Sequence, residues 1–216
     1  MNTTRNAIMT PSDMLSGFNA LSWNTSTNSV GVEHVPLTGD KNVSSPIRLK
    51  IGKHRLHSEG VSPHFAYDSD RVQYYTITID LGRSTDDGEF DFAETKQLAE
   101  LDALMQSKAE EAGVEYKPLL NSSSFHGVTA YSLTARIYYK SGVSRREHRM
   151  KFKCYTSKSK RVEITNQNAD TMMPEDSSVS MLIQPKWFQA NSFKGYAVLD
   201  QLKLYSTATV EEGCLL

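Results

Sequence analysis

The stretch Ala130-Tyr131-Ser132-Leu133-Thr134-Ala135-Arg136-Ile137-Tyr138-Tyr139-Lys140 alternates from end to end. Tyr131, Leu133, Ala135, Ile137 and Tyr139 fall on one side; Ser132, Thr134, Arg136, Tyr138 and Lys140 fall on the other. Successive side chains of an extended chain point to opposite faces, so this pattern predicts a strand with one face in a core and the other in solvent. The same period recurs on both sides of it. Upstream, Pro46-Ile47-Arg48-Leu49-Lys50-Ile51 alternates apolar and basic residues. Val72 to Leu81 sets Tyr75, Ile77, Ile79 and Leu81 against Tyr74, Thr76 and Thr78. Downstream, Met150, Phe152 and Cys154 alternate with Lys151, Lys153 and Tyr155, and short strands follow at Val162–Thr165 and around Val179, Met181 and Ile183. Tyr196 to Tyr205 is the last, with a near-continuous apolar content that predicts burial on both faces at its centre.

One helix interrupts the strands. Asp91-Phe92-Ala93-Glu94 is a capping-box variant with Asp in the first position. Leu98, Leu101, Leu104, Met105, Ala109 and Ala112 follow on a helical stripe, and Gly113 is placed to cap its end. Many short strands with a helix inserted near residues 91–112 predict an all-β fold: an OB-like Greek-key barrel or, with the same alternation, a β-sandwich.

The chain has 216 residues, which suits one domain. Residues 1–42 are rich in Asn, Thr and Ser and read as a polar, largely irregular N-terminal arm. Met9, Met14, Leu15, Phe18, Leu21 and Trp23 break that polarity and could form a short helix that docks on a partner; the alternative is a loose terminus tacked onto the domain. Residues 43–206 form the folded domain, and 207–216 a short C-terminal tail. There is no run of 18 apolar residues, which excludes a transmembrane helix, and no basic-then-apolar leader. Two distant cysteines, Cys154 and Cys214, exclude a disulfide scaffold and favour an intracellular setting.

The formal net charge of −1 conceals a segregation. Residues 86–115 carry ten acids against Lys96 and Lys108, a net of −8; residues 136–161 carry ten cations against Glu147 alone, a net of +9. The basic set is Arg136, Lys140, Arg145, Arg146, Arg149, Lys151, Lys153, Lys158, Lys160 and Arg161. Parity places Arg136, Tyr138 and Lys140 outward on one strand, and Lys151, Lys153 and Tyr155 outward on the next. The turn Ser141–Arg146 joins them. Cations neutralise phosphates and release counterions, while flat rings accept stacked bases, so such a face suits a single-stranded nucleic acid. The alternative is a solvated basic face whose tyrosines are there because strands favour them.

Enzyme chemistry finds little support. The chain has neither a glycine-rich phosphate loop nor a Gly-x-Ser-x-Gly elbow. His54 and His57 lack partners at zinc-site spacing, so no metal or cofactor is expected. Asp86-Asp87-Gly88 reads as a turn, and Cys154 as an inert core thiol. Cys214 is third from the end, where prenylation requires the fourth.

The order of these motifs resembles that of the single-stranded DNA-binding proteins of large DNA viruses and some phages, which use an oligonucleotide-binding barrel. The likeness spans about residues 43 to 206. Pro46–Gly52 is similar to the family's opening strand. Phe90 and Phe92, then Leu98 and Leu101-Asp102, resemble its phenylalanine-rich entry to a Leu-Asp helix. Tyr138-Tyr139-Lys140-Ser141 resembles the segment before its basic hairpin. Trp187-Phe188, Phe193-Lys194-Gly195-Tyr196 and Leu199-x-x-Leu202-Lys203-Leu204 resemble its final hairpin. The resemblance implies a non-catalytic protein that coats and protects single strands during viral replication, with contacts from Arg136, Tyr138, Lys140, Lys151 and Lys153. It leaves RNA open beside DNA. The polar arm is longer than that pattern needs. The tail Val210–Leu216 is shorter than the acidic tails with which some relatives recruit replication proteins and compete for the DNA groove. A second reading keeps the charge segregation but makes the chain a viral structural β-sandwich that self-associates, acidic patch to basic patch.

Overall fold

The computed structural model describes residues 8–16, 22–24, 31–34, 48–111, 113, 115–141, 147–189 and 192–206. In chain order it contains β1 (Ile8–Met9), α1 (Pro11–Ser16), β2 (Ser22–Asn24), β3 (Gly31–His34), β4 (Arg48–Phe65), β5 (Val72–Thr85), α2 (Ala93–Glu111), β6 (Glu115–Lys117) and β7 (Asn121–Phe125). There follow β8 (Val128–Ile137), β9 (Tyr139–Ser141), β10 (His148–Met150), β11 (Lys153–Tyr155), β12 (Arg161–Val162), α3 (Ala169–Met172), β13 (Ser177–Gln189) and β14 (Ser192–Ser206).

Five of these strands close on themselves. β4 pairs antiparallel with β5, β5 with β8, β13 with β14 and β13 with β4. A parallel contact, Ala197 beside Ala135 and Val198 beside Arg136, joins β14 to β8 and completes the ring. Counted along the chain, the barrel strands are neighbours in the order first, second, third, fifth, fourth and back to the first. That is a five-stranded Greek-key barrel of the OB type, not a sandwich. The parity of the sequence sets its faces. Tyr75, Ile77, Ile79 and Leu81 of β5 and Leu133, Ala135 and Ile137 of β8 are buried; Tyr74, Thr76, Thr78, Ser132, Thr134 and Arg136 face outward, half-buried.

Among several irregularities that adapt long strands to the curved wall, two bear on its faces. At Gly82 the register of β5 against β8 shifts between Asp80 and Arg83; φ is +80°, and a Cβ would sit 2.9 Å from the Phe92 ring. Only glycine meets both demands. In β14, Ile183 faces Leu199 but Leu182 faces Gln201, so Asp200 is the extra residue of a bulge. The bulge turns Leu199 and Leu202, three apart, to the same interior. It also corrects the expectation of two-sided burial: Ala197, Leu199, Leu202 and Leu204 are buried, while Val198 and Asp200 stay half-exposed on the outer wall.

α2 lies between the second and third barrel strands. Leu98, Leu101, Met105 and Ala109 form its buried stripe and join the barrel interior in one core. Asp102 is buried with them, and its carboxylate accepts hydrogen bonds from the Tyr116 hydroxyl (2.5 Å), Leu119 N–H (2.9 Å) and Leu120 N–H (2.8 Å). The Thr95 hydroxyl donates to the Leu81 carbonyl, tying the helix start to the end of β5. The short helix read among Met9–Trp23 occurs as α1, which packs against α2 with Met14 fully buried; β1 pairs in parallel with β4 beside it. Residues 207–216 and most of the remaining arm lie outside the described residues.

Candidate nucleic-acid interface

Arg136 sits at the centre of the outer wall. It is opposite Thr76 on β5 and Val198 on β14, so Tyr74 and Tyr196 are its diagonal neighbours. Its guanidinium carbon lies 4.8 Å from the Tyr74 ring centroid and 4.4 Å from that of Tyr196. His64, from the end of β4, stacks on Tyr74 with centroids 4.4 Å apart and planes within 13°. Two groups cannot share one face of a ring, so His64, Tyr74, Arg136 and Tyr196 form a four-layer ladder across four barrel strands, β4, β5, β8 and β14. Burial pushes the Tyr196 phenol up, with Tyr138 adding to the shift and Arg136 opposing it, so this ring stays neutral at ordinary pH. Tyr138, 40% exposed, continues the row.

The loop between the first and second barrel strands adjoins Tyr74. It is a tight turn in which Ala66 N–H donates to the Arg71 carbonyl at 2.8 Å. Two rings flank it in solvent: Phe65 is 50% exposed and Tyr67 is 93% exposed. Tyr67 lies almost wholly outside its own chain's packing and Phe65 half outside, so both rings are open to a partner.

The cations lie beyond Tyr138. The sequence reading of Met150–Tyr155 as one strand of a basic hairpin is corrected here. The chain bends at Lys151 and Phe152; β10 pairs with β9, while β11 leaves to pair in parallel with β14. The bend gathers the charges. Lys151 N–H donates to the Tyr138 carbonyl at 2.7 Å, placing that lysine beside the aromatic row. Lys140, Arg149, Lys151, Lys153 and Arg161 line one open cleft, with Glu163 and Asp200 in its wall. Arg149 is braced by Glu147 at 3.2 Å and Glu163 at 3.7 Å, and Asp200 faces Arg48 at 3.3 Å. The β9–β10 ribbon is held to the barrel by Tyr75 and His148, whose hydroxyl and Nδ1 are 2.7 Å apart. Tyr139 stacks on the His148 ring at 4.0 Å and donates to the Val72 carbonyl.

Three further residues of the expected site, Tyr155, Lys158 and Lys160, lie at the sheet edge. Tyr155 is half-buried opposite Lys203, on the same outer side as Lys153, and Arg161 pairs with it across β11 and β12. Lys158 and Lys160 are exposed in the turn between those strands. Arg145 and Arg146 lie outside the described residues. The structure thus brings Arg136 and Tyr138 together with Lys140, Arg149, Lys151, Lys153 and Arg161, and sets Tyr155, Lys158 and Lys160 to one side. Sequence reasoning did not single out His64, Phe65, Tyr67, Tyr74 and Tyr196. The signal for the first three was present: His64-Phe65-Ala66-Tyr67 puts three rings in four positions next to an Asp-Ser-Asp turn.

Among the described residues no cluster of three or more His, Cys, Asp or Glu could hold a metal ion, and no helix is long and apolar enough to cross a membrane.

No family model and no curated protein sequence matches the chain. Solved structures do. The single-stranded DNA-binding protein of bacteriophage Enc34, in complex with ssDNA, is 14% identical with a TM-score of 0.50, over 74% of this chain and 86% of that one. A second structure of that protein gives 14% and 0.48 over 78% and 87%. The single-stranded DNA-binding protein gp2.5 of bacteriophage T7 gives 13% and 0.40 over 74% and 94%. The likeness to phage single-stranded DNA-binding proteins implied by the sequence motifs is therefore found in the fold itself, an OB-like barrel shared with the Enc34 protein.

Proposed function

We propose that this chain binds single-stranded DNA without reading its sequence, and coats and protects single strands during viral replication. The observation that carries the reading is the outer wall of β5, β8 and β14. There a tyrosine–arginine ladder crosses the barrel, the exposed rings of Phe65 and Tyr67 lie beside one end of it, and a cleft lined by five cations opens beyond Tyr138. In an OB barrel the face of the second and third strands, with the loop joining the first and second, takes oligonucleotides. Here that face is β5 with β8, and that loop carries Phe65 and Tyr67. Rings accept any base and cations accept any phosphate, so the surface binds without sequence preference. The solved structure of the same fold with ssDNA bound supports the assignment.

Fluorescence anisotropy with a labelled thymidine oligomer and the matching duplex tests it. Tighter binding to the single strand, weakening as salt rises, is expected. Equal affinity for both forms, or no binding at low salt, overturns it. The assembly reading draws on Glu100, Glu110 and Glu111, which are exposed on α2. That helix follows the far end of β5 from Tyr74, so acids and cations sit apart. Regular particles seen by light scattering without nucleic acid would favour it instead.

A further inference from the structure

β7 is an edge strand with none of the devices that keep edges apart. Asn121-Ser122-Ser123-Ser124-Phe125 contains no charge and no proline, pairs with β8 in unbroken register, and is exposed at every residue. Natural sheets blunt such edges with lysine, proline or bulges, because the free N–H and C=O groups template another strand. Phe125 adds a ring that is 74% exposed and meets the neighbouring His126 ring edge-on.

The hairpin geometry says which groups are free. β7 and β8 are joined by the two-residue turn His126-Gly127, both with positive φ (48° and 78°). In such a hairpin Phe125 and Val128 form the hydrogen-bonded pair next to the turn, and pairs then alternate. Phe125, Ser123 and Asn121 spend their backbone groups on β8; Ser122 and Ser124 direct theirs to solvent. The hydroxyls of Ser124 and Thr129, 2.9 Å apart, fit the close approach of a non-hydrogen-bonded pair.

We infer that β7 is the interface of a two-fold homodimer, pairing antiparallel with β7 of a second copy about an axis at Ser123. In that register Ser122 of each copy faces Ser124 of the other, and every outward N–H and C=O is satisfied. The contact is isologous and closes after two copies. A neutral strand meets itself without like-charge repulsion, and serine side chains let the backbones approach. Asn121, Ser123 and Phe125 lie on the outer side of the sheet, since Asn121 donates to Thr134 Oγ1 on that face. The dyad therefore sets the two copies' outer walls side by side on one surface. The edge offers five residues per copy, less than a standard interface, so the dimer is weak in dilute solution. It strengthens when two copies occupy one nucleic-acid strand, where their effective concentration is high. This last consequence rests on the proposed function; the pairing does not.

Cysteine cross-linking fixes the register. Residues on the axis form a non-hydrogen-bonded pair with Cα atoms about 4.5 Å apart, within disulfide range. With Cys214 replaced by serine, Ser123→Cys is expected to form a covalent dimer under mild oxidation, while Ser122→Cys stays monomeric, its partner position being Ser124. In sedimentation at about 100 μM, a concentration suited to so small an interface, the wild type is expected to show a dimer fraction that Ser123→Lys abolishes. All positions tested are exposed, so the variants fold. Ser123→Lys adds a cation on the outer side, so it binds an oligomer long enough for one copy at least as tightly as the wild type, which separates failure of the dimer from failure of nucleic-acid binding. Equal cross-linking of both cysteine variants, or a wild type monomeric at that concentration with no Ser123→Cys dimer, overturns the inference.

Discussion

Arg136 carries its charge between two tyrosine faces, an arrangement that depends on a planar guanidinium. A lysine in its place would keep the charge and lose the stacking. Arg136→Ala is expected to weaken binding of a thymidine oligomer by roughly tenfold or more, the range set by about 1–3 kcal/mol per stacked base; Arg136→Lys should recover only part of that. Anisotropy titration reads both. Cys154 makes the opposite case at the same scale. It is fully buried, and burial pushes its thiol up to about 11. At pH 8 it stays protonated and out of reach, so iodoacetamide should leave its peptide unmodified in the native chain and label it only after unfolding, as peptide mass spectrometry would show. Both residues were legible from parity alone: Arg136 outward, Cys154 inward. Tyr74 was also placed outward by parity. Nothing in the sequence joined it to Arg136, because the register that brings them together spans about sixty residues and is set by the pairing of β5 with β8 across the inserted helix.

Among the elements, α2 was legible from its stripe and from Gly113 at its end, but the capping box was not formed, since Asp91 accepts from Arg83 N–H and Glu94 from Gly52 N–H, and the use of Asp102 was not legible. Its position in a Leu-Asp pair gave no sign that the carboxylate would leave solvent and hold the chain at Leu119 and Leu120. Asparagine offers one acceptor oxygen where the carboxylate offers two, so Asp102→Asn turns an NH2 group toward a backbone donor. The expected cost is about 1–3 kcal/mol, read from the denaturant midpoint. The pH dependence has a definite sign. Burial raises the Asp102 pKa above the ordinary 3.8, against the lowering effect of its three hydrogen bonds. Between 3.8 and the raised value the native chain holds a proton that the unfolded chain has lost. This group's contribution to stability is therefore full below 3.8 and declines as pH rises through that window. Asp102→Asn should flatten that part of the stability profile. The bulge at Asp200 shows why strand faces were only partly legible: one extra residue flips the parity of everything after it, and no local signal marks it.

For the whole molecule, the net charge of −1 says little, because the acids of the α2 region and the cations of the cleft occupy different parts of the surface. The segregation was legible as two runs in the sequence. Its final form was not, because the basic run is not one hairpin; its bend at Lys151 and Phe152 turns two strands toward different partners. That bend brings Lys140, Lys151 and Lys153 into one cleft, while Arg149 is already committed to Glu147 and Glu163. The three lysines, with Arg161 of the same cleft, are thus the cations best placed to meet phosphates. On a single strand each neutralised phosphate contributes about −0.7 to the slope of log K against log salt. Replacing all three lysines by alanine should make that slope shallower by about 2 and weaken binding most at low salt. Arg136→Ala should instead lower affinity at every salt concentration, with a smaller change of slope, because its charge is shared with two rings. Titrations at several salt concentrations separate the two variants. A triple-lysine variant with the wild-type slope would place the phosphate path elsewhere on the barrel and leave the cleft a solvated face.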